Sequence, residues 1–279
     1  MTGKFIVANS IRQFYEIHGE AGNPWITLVH GSGDNHLAWE LQIADLSNKY
    51  RVLTYDVRGH GATETPFNQE VSQTTLVEDL HELLRALNIE NTGLIGYSMG
   101  AGIARNYAAV YPEKIWGLVL SNGGKIVNKP IDDKEKQANL QSVLDRKNSI
   151  KLGGMESVFN GWISSVYTPE FVLAKPDIVE WHRNIMTSNN VDKYIHVVGA
   201  TDEVDFDLGR IDMPSLIIVG AGDEYTGPEE AKELAKALTG AQVEVDIFPT
   251  RHGSPFERHM EYNQTINKFF QTIRNSGNL

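Results

Sequence analysis

Residues 96–100 read Gly96-Tyr97-Ser98-Met99-Gly100, and what flanks them gives this short pattern its meaning. Thr92-Gly-Leu-Ile before it has strand character, and Ala101-Gly-Ile-Ala-Arg-Asn-Tyr-Ala-Ala-Val110 after it favours helix. A strand, a sharp turn and a helix with serine at the apex form a nucleophile elbow. The turn strains the serine backbone, so only small neighbours fit, and Gly96 and Gly100 supply them. The elbow lifts the Ser98 hydroxyl above the sheet and aims the next helix N-terminus at a reacting carbonyl. The bare pattern is weak, with about 0.1 matches expected by chance in a chain this long at ordinary Gly and Ser frequencies. The alternative is a plain glycine-rich turn, and the flanking strand and helix argue against it.

Outward from the elbow, strand-like and helix-like segments alternate. Lys4–Ala8 and Ile11–Ile17, joined by Asn9-Ser10, suggest a hairpin. Ile26–His30, Arg51–Tyr55, Thr92–Tyr97, Ile115–Leu120, Ser215–Val219 and Val243–Phe248 are further short strands. Thr75–Leu87 is an amphipathic helix, with Leu76, Leu80, Leu83, Leu84 and Leu87 on one face and Glu78, Asp79, Glu82 and Arg85 opposite. Pro228–Leu238 and Glu261–Ile273 are helices as well. The expectation is an α/β fold with a mainly parallel eight-stranded sheet and helices on both faces. The rhythm breaks after Asn122-Gly-Gly124. Residues 130–208 are helical in pattern and more polar, which reads as a helical cap inserted into a core of 1–129 and 209–279.

In an open α/β sheet, sites lie beyond the carboxyl ends of the strands. The first parallel strand is followed by His30-Gly31-Ser32-Gly33-Asp34, whose glycines let a backbone N–H approach a ligand. The Ser32 and Met99 amides together would suit an oxyanion hole. The next strand leads into Asp56-Val-Arg-Gly-His-Gly61, where His60 reads as a structural turn residue rather than a base. Ser215–Val219 leads into Gly220-Ala-Gly-Asp223, and the last strand into Pro249-Thr-Arg-His252. Ser98, Asp223 and His252 therefore stand in the order nucleophile, acid, base, each directly after a strand. His252 would take the Ser98 proton and Asp223 would fix its tautomer, with Glu224 the second choice of acid. Other signatures fail. Position 225 is Tyr, so Gly220-Ala-Gly222 makes no dinucleotide fingerprint, and position 85 is Arg, so His81-Glu82 begins no zincin helix. No metal site and no cofactor is expected.

Composition narrows the function classes. The chain has 279 residues, 41% hydrophobic and 22% charged, which suits one large soluble domain. It has no cysteine, so disulfides, thiolate chemistry and Cys-built zinc sites are excluded, and a reducing, cytoplasmic setting is expected. A formal charge of −11 is the wrong sign for nucleic acid or acidic membranes as partners. No apolar run is long enough to span a bilayer, and Met1–Ala8 does not read as a signal peptide.

Four blocks carry a resemblance: His30-Gly-Ser-Gly, Tyr55-Asp-Val-Arg-Gly-His-Gly61, Gly96-Tyr-Ser-Met-Gly100 and His252-Gly-Ser-Pro-Phe-Glu257. The chain resembles the α/β-hydrolase superfamily, within it the capped group of enol-lactonases, small carboxylesterases and meta-cleavage carbon–carbon hydrolases. The resemblance implies Ser98 as nucleophile, His252 as base, Asp223 as acid, and the Ser32 and Met99 amides as the oxyanion hole. Two departures stand out: Arg251 where the group usually has Gly or Ala, and Thr63 where Ser is common. A cation beside His252 would disfavour the imidazolium unless its side chain points away.

The expected activity is hydrolysis of a small carboxylic ester or lactone through an acyl-enzyme on Ser98. Carbon–carbon cleavage of a vinylogous ketone acid, and a ligand sensor that retains the triad, are the alternatives. A small-molecule ester or lactone is the expected partner, with the chain a monomer or homodimer. Phe159, Trp162, Tyr167 and Trp181 are large aromatics in the polar insertion, and are expected either to line a substrate pocket or to pin the cap to the core.

Overall fold

The computed structural model describes residues 3–124, 126, 133–200 and 205–276. Its centre is one sheet in the order β1 (Lys4–Ala8), β2 (Ile11–His18), β4 (Arg51–Tyr55), β3 (Trp25–Val29), β5 (Thr92–Tyr97), β6 (Ile115–Ser121), β7 (Ser215–Gly220), β8 (Val243–Phe248). β1, β2 and β4 pair antiparallel, and every pairing from β4 through β3 to β8 is parallel. Asn9 and Ser10 both take positive φ, 47° and 63°, which the tight turn between β1 and β2 requires.

The central strands are apolar without alternation because both faces are covered. In β7, Leu216 and Ile218 join the core on one side of the sheet, and Ile217 and Val219 the core on the other. The first core is closed by α1 (Glu40–Leu46) and α10 (His259–Asn275), through Leu46, Ile266 and Phe270. The second is closed by α2 (Gln73–Ala86), α3 (Met99–Val110) and α8 (Pro228–Ala237), through Leu80, Ala104 and Leu234. α2 begins two residues earlier than its leucine pattern implies. Ser72 caps it, accepting from the Thr75 N–H at 3.1 Å while the Thr75 hydroxyl accepts from the Ser72 N–H at 3.3 Å.

Between β6 and β7 the described chain is helical: α4 (Asp133–Val166), broken at Gly154 where φ is 65°, α5 (Pro169–Ala174), α6 (Pro176–Thr187) and α7 (Val191–Val197). The expected boundary between residues 129 and 130 lies outside the described residues. A short α9 (Ser254–Glu257) links the last strand to α10. Among the described residues no helix is long and apolar enough to cross a membrane.

Candidate active site

The apex of the β5–α3 turn is Ser98, with φ 54° and ψ −115°. A non-glycine residue there is strained, and the surroundings hold it in place. Its N–H donates to the Ser121 carbonyl at the end of β6, 2.9 Å away. The glycines are required by space. A Cβ on Gly96 would lie 2.2 Å from the Gly100 carbonyl oxygen, and one on Gly100 would lie 2.1 Å from that of Val29.

The loops after β7 and β8 bring Asp223 and His252 to this apex. His252 Nε2 is 2.9 Å from Ser98 Oγ, and His252 Nδ1 is 2.8 Å from Asp223 Oδ2. Asp223 is itself fixed: Oδ1 accepts from the Tyr225 and Thr226 amides at 2.9 and 3.1 Å, and Oδ2 accepts from Asn122 Nδ2 at 3.1 Å. Burial pushes the Asp223 carboxyl up. The hydrogen bond and charge of His252, with Asn122 and the Tyr225 amide, outweigh that and hold it below the usual carboxylate range. With a carboxylate on Nδ1, the imidazole carries its proton there and offers Nε2 as an acceptor to Ser98. Glu224 is exposed.

Asn122, which orients Asp223, was not marked by the sequence reading. It sits at positive φ, 47°, just past β6, and only its strand-end position hints at a role.

The amides expected to form an oxyanion hole have the needed freedom. Met99 opens α3, so its N–H has no acceptor one turn back. Neither it nor the Ser32 N–H donates to a loop, cap or side chain among the described residues. The Ser32 loop is held from beneath. Gly33, at φ 85°, donates its N–H to His60 Nε2 at 3.0 Å and receives Asn189 Nδ2 on its carbonyl at 2.7 Å. Buried His60 must stay neutral to accept that bond, and burial lowers its pKa to about 3. Buried His30 does a similar job, accepting from the Val57 N–H at 3.0 Å. His60 is thus a structural residue of the turn.

A cavity of about 10 Å³, room for about one water molecule, adjoins Ser98. Ser32, Asp34, Tyr97, Ser98, Trp162, Val166, His182 and Met186 line it. Half of these come from α4 and α6, so the helical insertion lies directly over the serine.

A family model described as the alpha/beta hydrolase fold matches residues 24–258, most of the chain. The chain belongs to the α/β-hydrolase fold family. It is 27% identical over 264 residues to 3-oxoadipate enol-lactonase 2 of Acinetobacter baylyi, covering 94% of each protein. Among solved structures it superposes on the enol-lactonase of Burkholderia xenovorans LB400 with a TM-score of 0.84 and 26% identity. That match covers 96% of this chain and 100% of the other. A hydrolase of Pseudomonas aeruginosa PA01 follows with a TM-score of 0.83 and 25% identity, covering 96% of this chain and 98% of the other.

Of the four aromatics singled out in the insertion, Trp162 lines the cavity. Its ring stacks on Tyr225 at 5.9 Å, and both rings stand over His252. The others do not line it, and Trp181 lines instead a separate open cavity of about 500 Å³ together with Glu40 and Asp177. Phe159 and Tyr167 are buried in the core beside His182, and Trp181 packs on Phe256 and donates Nε1 to Glu40 at 3.0 Å. Arg251 does not face His252. Its guanidinium donates to the Ser164 carbonyl of α4 and ties the histidine loop to the insertion. Thr63 is buried and its hydroxyl accepts from the Phe14 N–H at 2.9 Å, a structural use. Among the described residues no group of His, Asp and Glu could hold a metal ion.

The neutral histidines make a prediction about pH. Unfolded, His60 protonates near its ordinary pKa of about 6.5, whereas folded it resists until about 3. The unfolded state thus binds more protons across that window, and stability should fall as pH falls through it. The slope from His60 alone is on the order of 1 kcal/mol per pH unit. Urea midpoints measured from neutral pH downward test this, and His60→Gln should flatten the slope by about one proton. An unchanged slope would remove His60 as the source.

Proposed function

We propose that this chain is a serine-dependent hydrolase of small carboxylic esters or lactones. The observation that carries the reading is the row Ser98 Oγ, His252 Nε2, His252 Nδ1 and Asp223 Oδ2, at 2.9 and 2.8 Å. His252 takes the Ser98 proton as the oxygen attacks the carbonyl. The tetrahedral oxyanion sits on the Ser32 and Met99 amides. The imidazolium returns the proton to the leaving alkoxide, and His252 then activates water to release the acid. The helices of 130–208 act as a cap that closes over the acyl group. Similarity to enol-lactonases supports a lactone or ester as substrate.

A panel of p-nitrophenyl esters, lactones and dienone acids, with Ser98→Ala as blank, tests the reading. Serine-dependent turnover of esters or lactones supports it. Turnover confined to the dienone acids would instead make the chain a carbon–carbon hydrolase, and binding without turnover would make it a sensor.

Position 32 gives a backbone test. If it acts through its N–H, Ser32→Ala should keep most activity, losing only the bond from its hydroxyl to Tyr194, 3.0 Å away. Ser32→Pro should lose roughly a hundred- to a thousandfold in kcat, the usual cost of one missing oxyanion donor. Circular dichroism and a melting curve check that the loop still folds, since proline also fixes φ. Equal damage from both changes would assign the contact to the hydroxyl instead.

A further inference from the structure

Ser98 shares its cavity with a second acid–imidazole pair that the triad does not use. Asp34 follows the Ser32 amide by two positions, and His182 projects from α6. They are 2% and 3% exposed. Asp34 Oδ1 lies 2.7 Å from His182 Nε2, and His182 Nδ1 lies 2.7 Å from the Tyr167 hydroxyl. Burial holds the Tyr167 hydroxyl far above its ordinary pKa, so it keeps its proton and can donate it to His182 Nδ1. That bond fixes the tautomer, and Nε2–H then donates to Asp34 Oδ1.

The other carboxylate oxygen is left over. Asp34 Oδ2 has no hydrogen-bond donor among the described residues. It lies over Gly31 beside the ring of Tyr97, another residue of the cavity wall. A carboxylate oxygen that meets no donor in a site largely closed to bulk water is costly, so its natural complement is a donor carried in by the ligand. The cavity wall holds no lysine or arginine, and the Ser32 hydroxyl is already engaged with Tyr194. The wall therefore offers an acceptor in the same cavity as Ser98 and no cation of its own; Arg146 stands behind it, 5.6 Å over the Trp162 ring and donating to the Tyr194 hydroxyl at 3.3 Å.

We propose that Asp34 Oδ2 is the recognition point for a substrate hydroxyl near the scissile carbonyl, so that preferred substrates are β-hydroxyacyl esters or hydroxylated lactones rather than substrates bearing a free carboxylate. This rests on the reading of Ser98 as nucleophile. His182 and Tyr167 are positioning residues that aim Asp34.

The test uses p-nitrophenyl butyrate, its β-hydroxybutyrate analogue and the hemisuccinate, which carries a carboxylate instead. Wild-type kcat/KM should favour the hydroxy ester over the butyrate by at least about tenfold, equivalent to about 1.4 kcal/mol, and should place the hemisuccinate last. Asp34→Asn removes the charge and replaces one acceptor oxygen by an amide donor. It should collapse the preference for the hydroxyl and raise kcat/KM for the hemisuccinate. A wild-type enzyme indifferent to the three acyl groups would overturn the proposal. So would an Asp34→Asn that lowers all three rates alike, since Asp34 would then only clasp loop to cap. Should that variant not fold, Tyr167→Phe releases His182 Nδ1 and should weaken the same preference. Calorimetry on Ser98→Ala with the methyl esters of the same acids separates the two readings. If nothing is cleaved the acyl-enzyme reading fails, yet tighter binding of the hydroxy ester still supports Asp34, and equal binding overturns it.

Discussion

Ser98→Ala should abolish turnover, with kcat lowered by roughly four to six orders of magnitude, as when a triad nucleophile is removed. Fold and stability should survive, because the hydroxyl makes its bond to His252 and is not otherwise packed. The backbone gives a companion variant. At φ 54° alanine keeps the strain and glycine releases it. Ser98→Gly should be as inactive as Ser98→Ala yet more stable than it by about 1 kcal/mol. Measured by urea denaturation, equal stabilities would mean that the turn is not strained. Serine-independent turnover that persists through repurification would remove Ser98 from the chemistry.

Asp223→Asn should cost about 10⁴-fold in kcat, because the hydrogen bonds force the wrong tautomer. Asp223 Oδ1 faces two backbone N–H groups, so the amide oxygen of the variant must take that place. Its NH₂ then points at His252 Nδ1 and makes that nitrogen an acceptor. The ring proton moves to Nε2, the atom 2.9 Å from Ser98 Oγ, where it blocks proton abstraction. Asn122 loses its acceptor as well. Glu224→Gln, on an exposed side chain, should stay near wild type. A near-normal Asp223→Asn beside a dead Glu224→Gln would reverse the choice of acid.

Some of this site was legible because its chemistry is local. Ser98 follows its strand directly, Asp223 and His252 come in the short loops after theirs, and parallel strands in one sheet deliver their ends to one edge. The central strands β3 to β7 were legible for a related reason: short apolar runs buried on both faces have little else to become. The start of α2 was hidden because Ser72 and Thr75 cap one another through hydroxyls, and no acidic residue marks the box. Asn122 was hidden because a polar residue after a strand is ordinarily a solvated turn. Asp34 and His182 stand 148 positions apart, and nothing local signals their pairing. The aromatics of the insertion show the same limit. Sequence marks Phe159, Trp162, Tyr167 and Trp181 as large and apolar, but tertiary packing decides which one faces the cavity.

The insertion also shapes the loop that carries His252. The His252 N–H donates to the Ser165 carbonyl at 3.1 Å and the Gly253 N–H to that of Val166 at 2.8 Å, beside the Arg251 clasp on Ser164. The end of α4 is thus edge-bonded to the histidine loop as a strand would be. Modular engineering meets a boundary here. Trimming the insertion to widen the cavity, or grafting one from a relative to change substrate range, would unmoor His252 along with the helices above it. A chimera that preserves the Ser164–Val166 backbone and exchanges only α5 to α7 respects that seam.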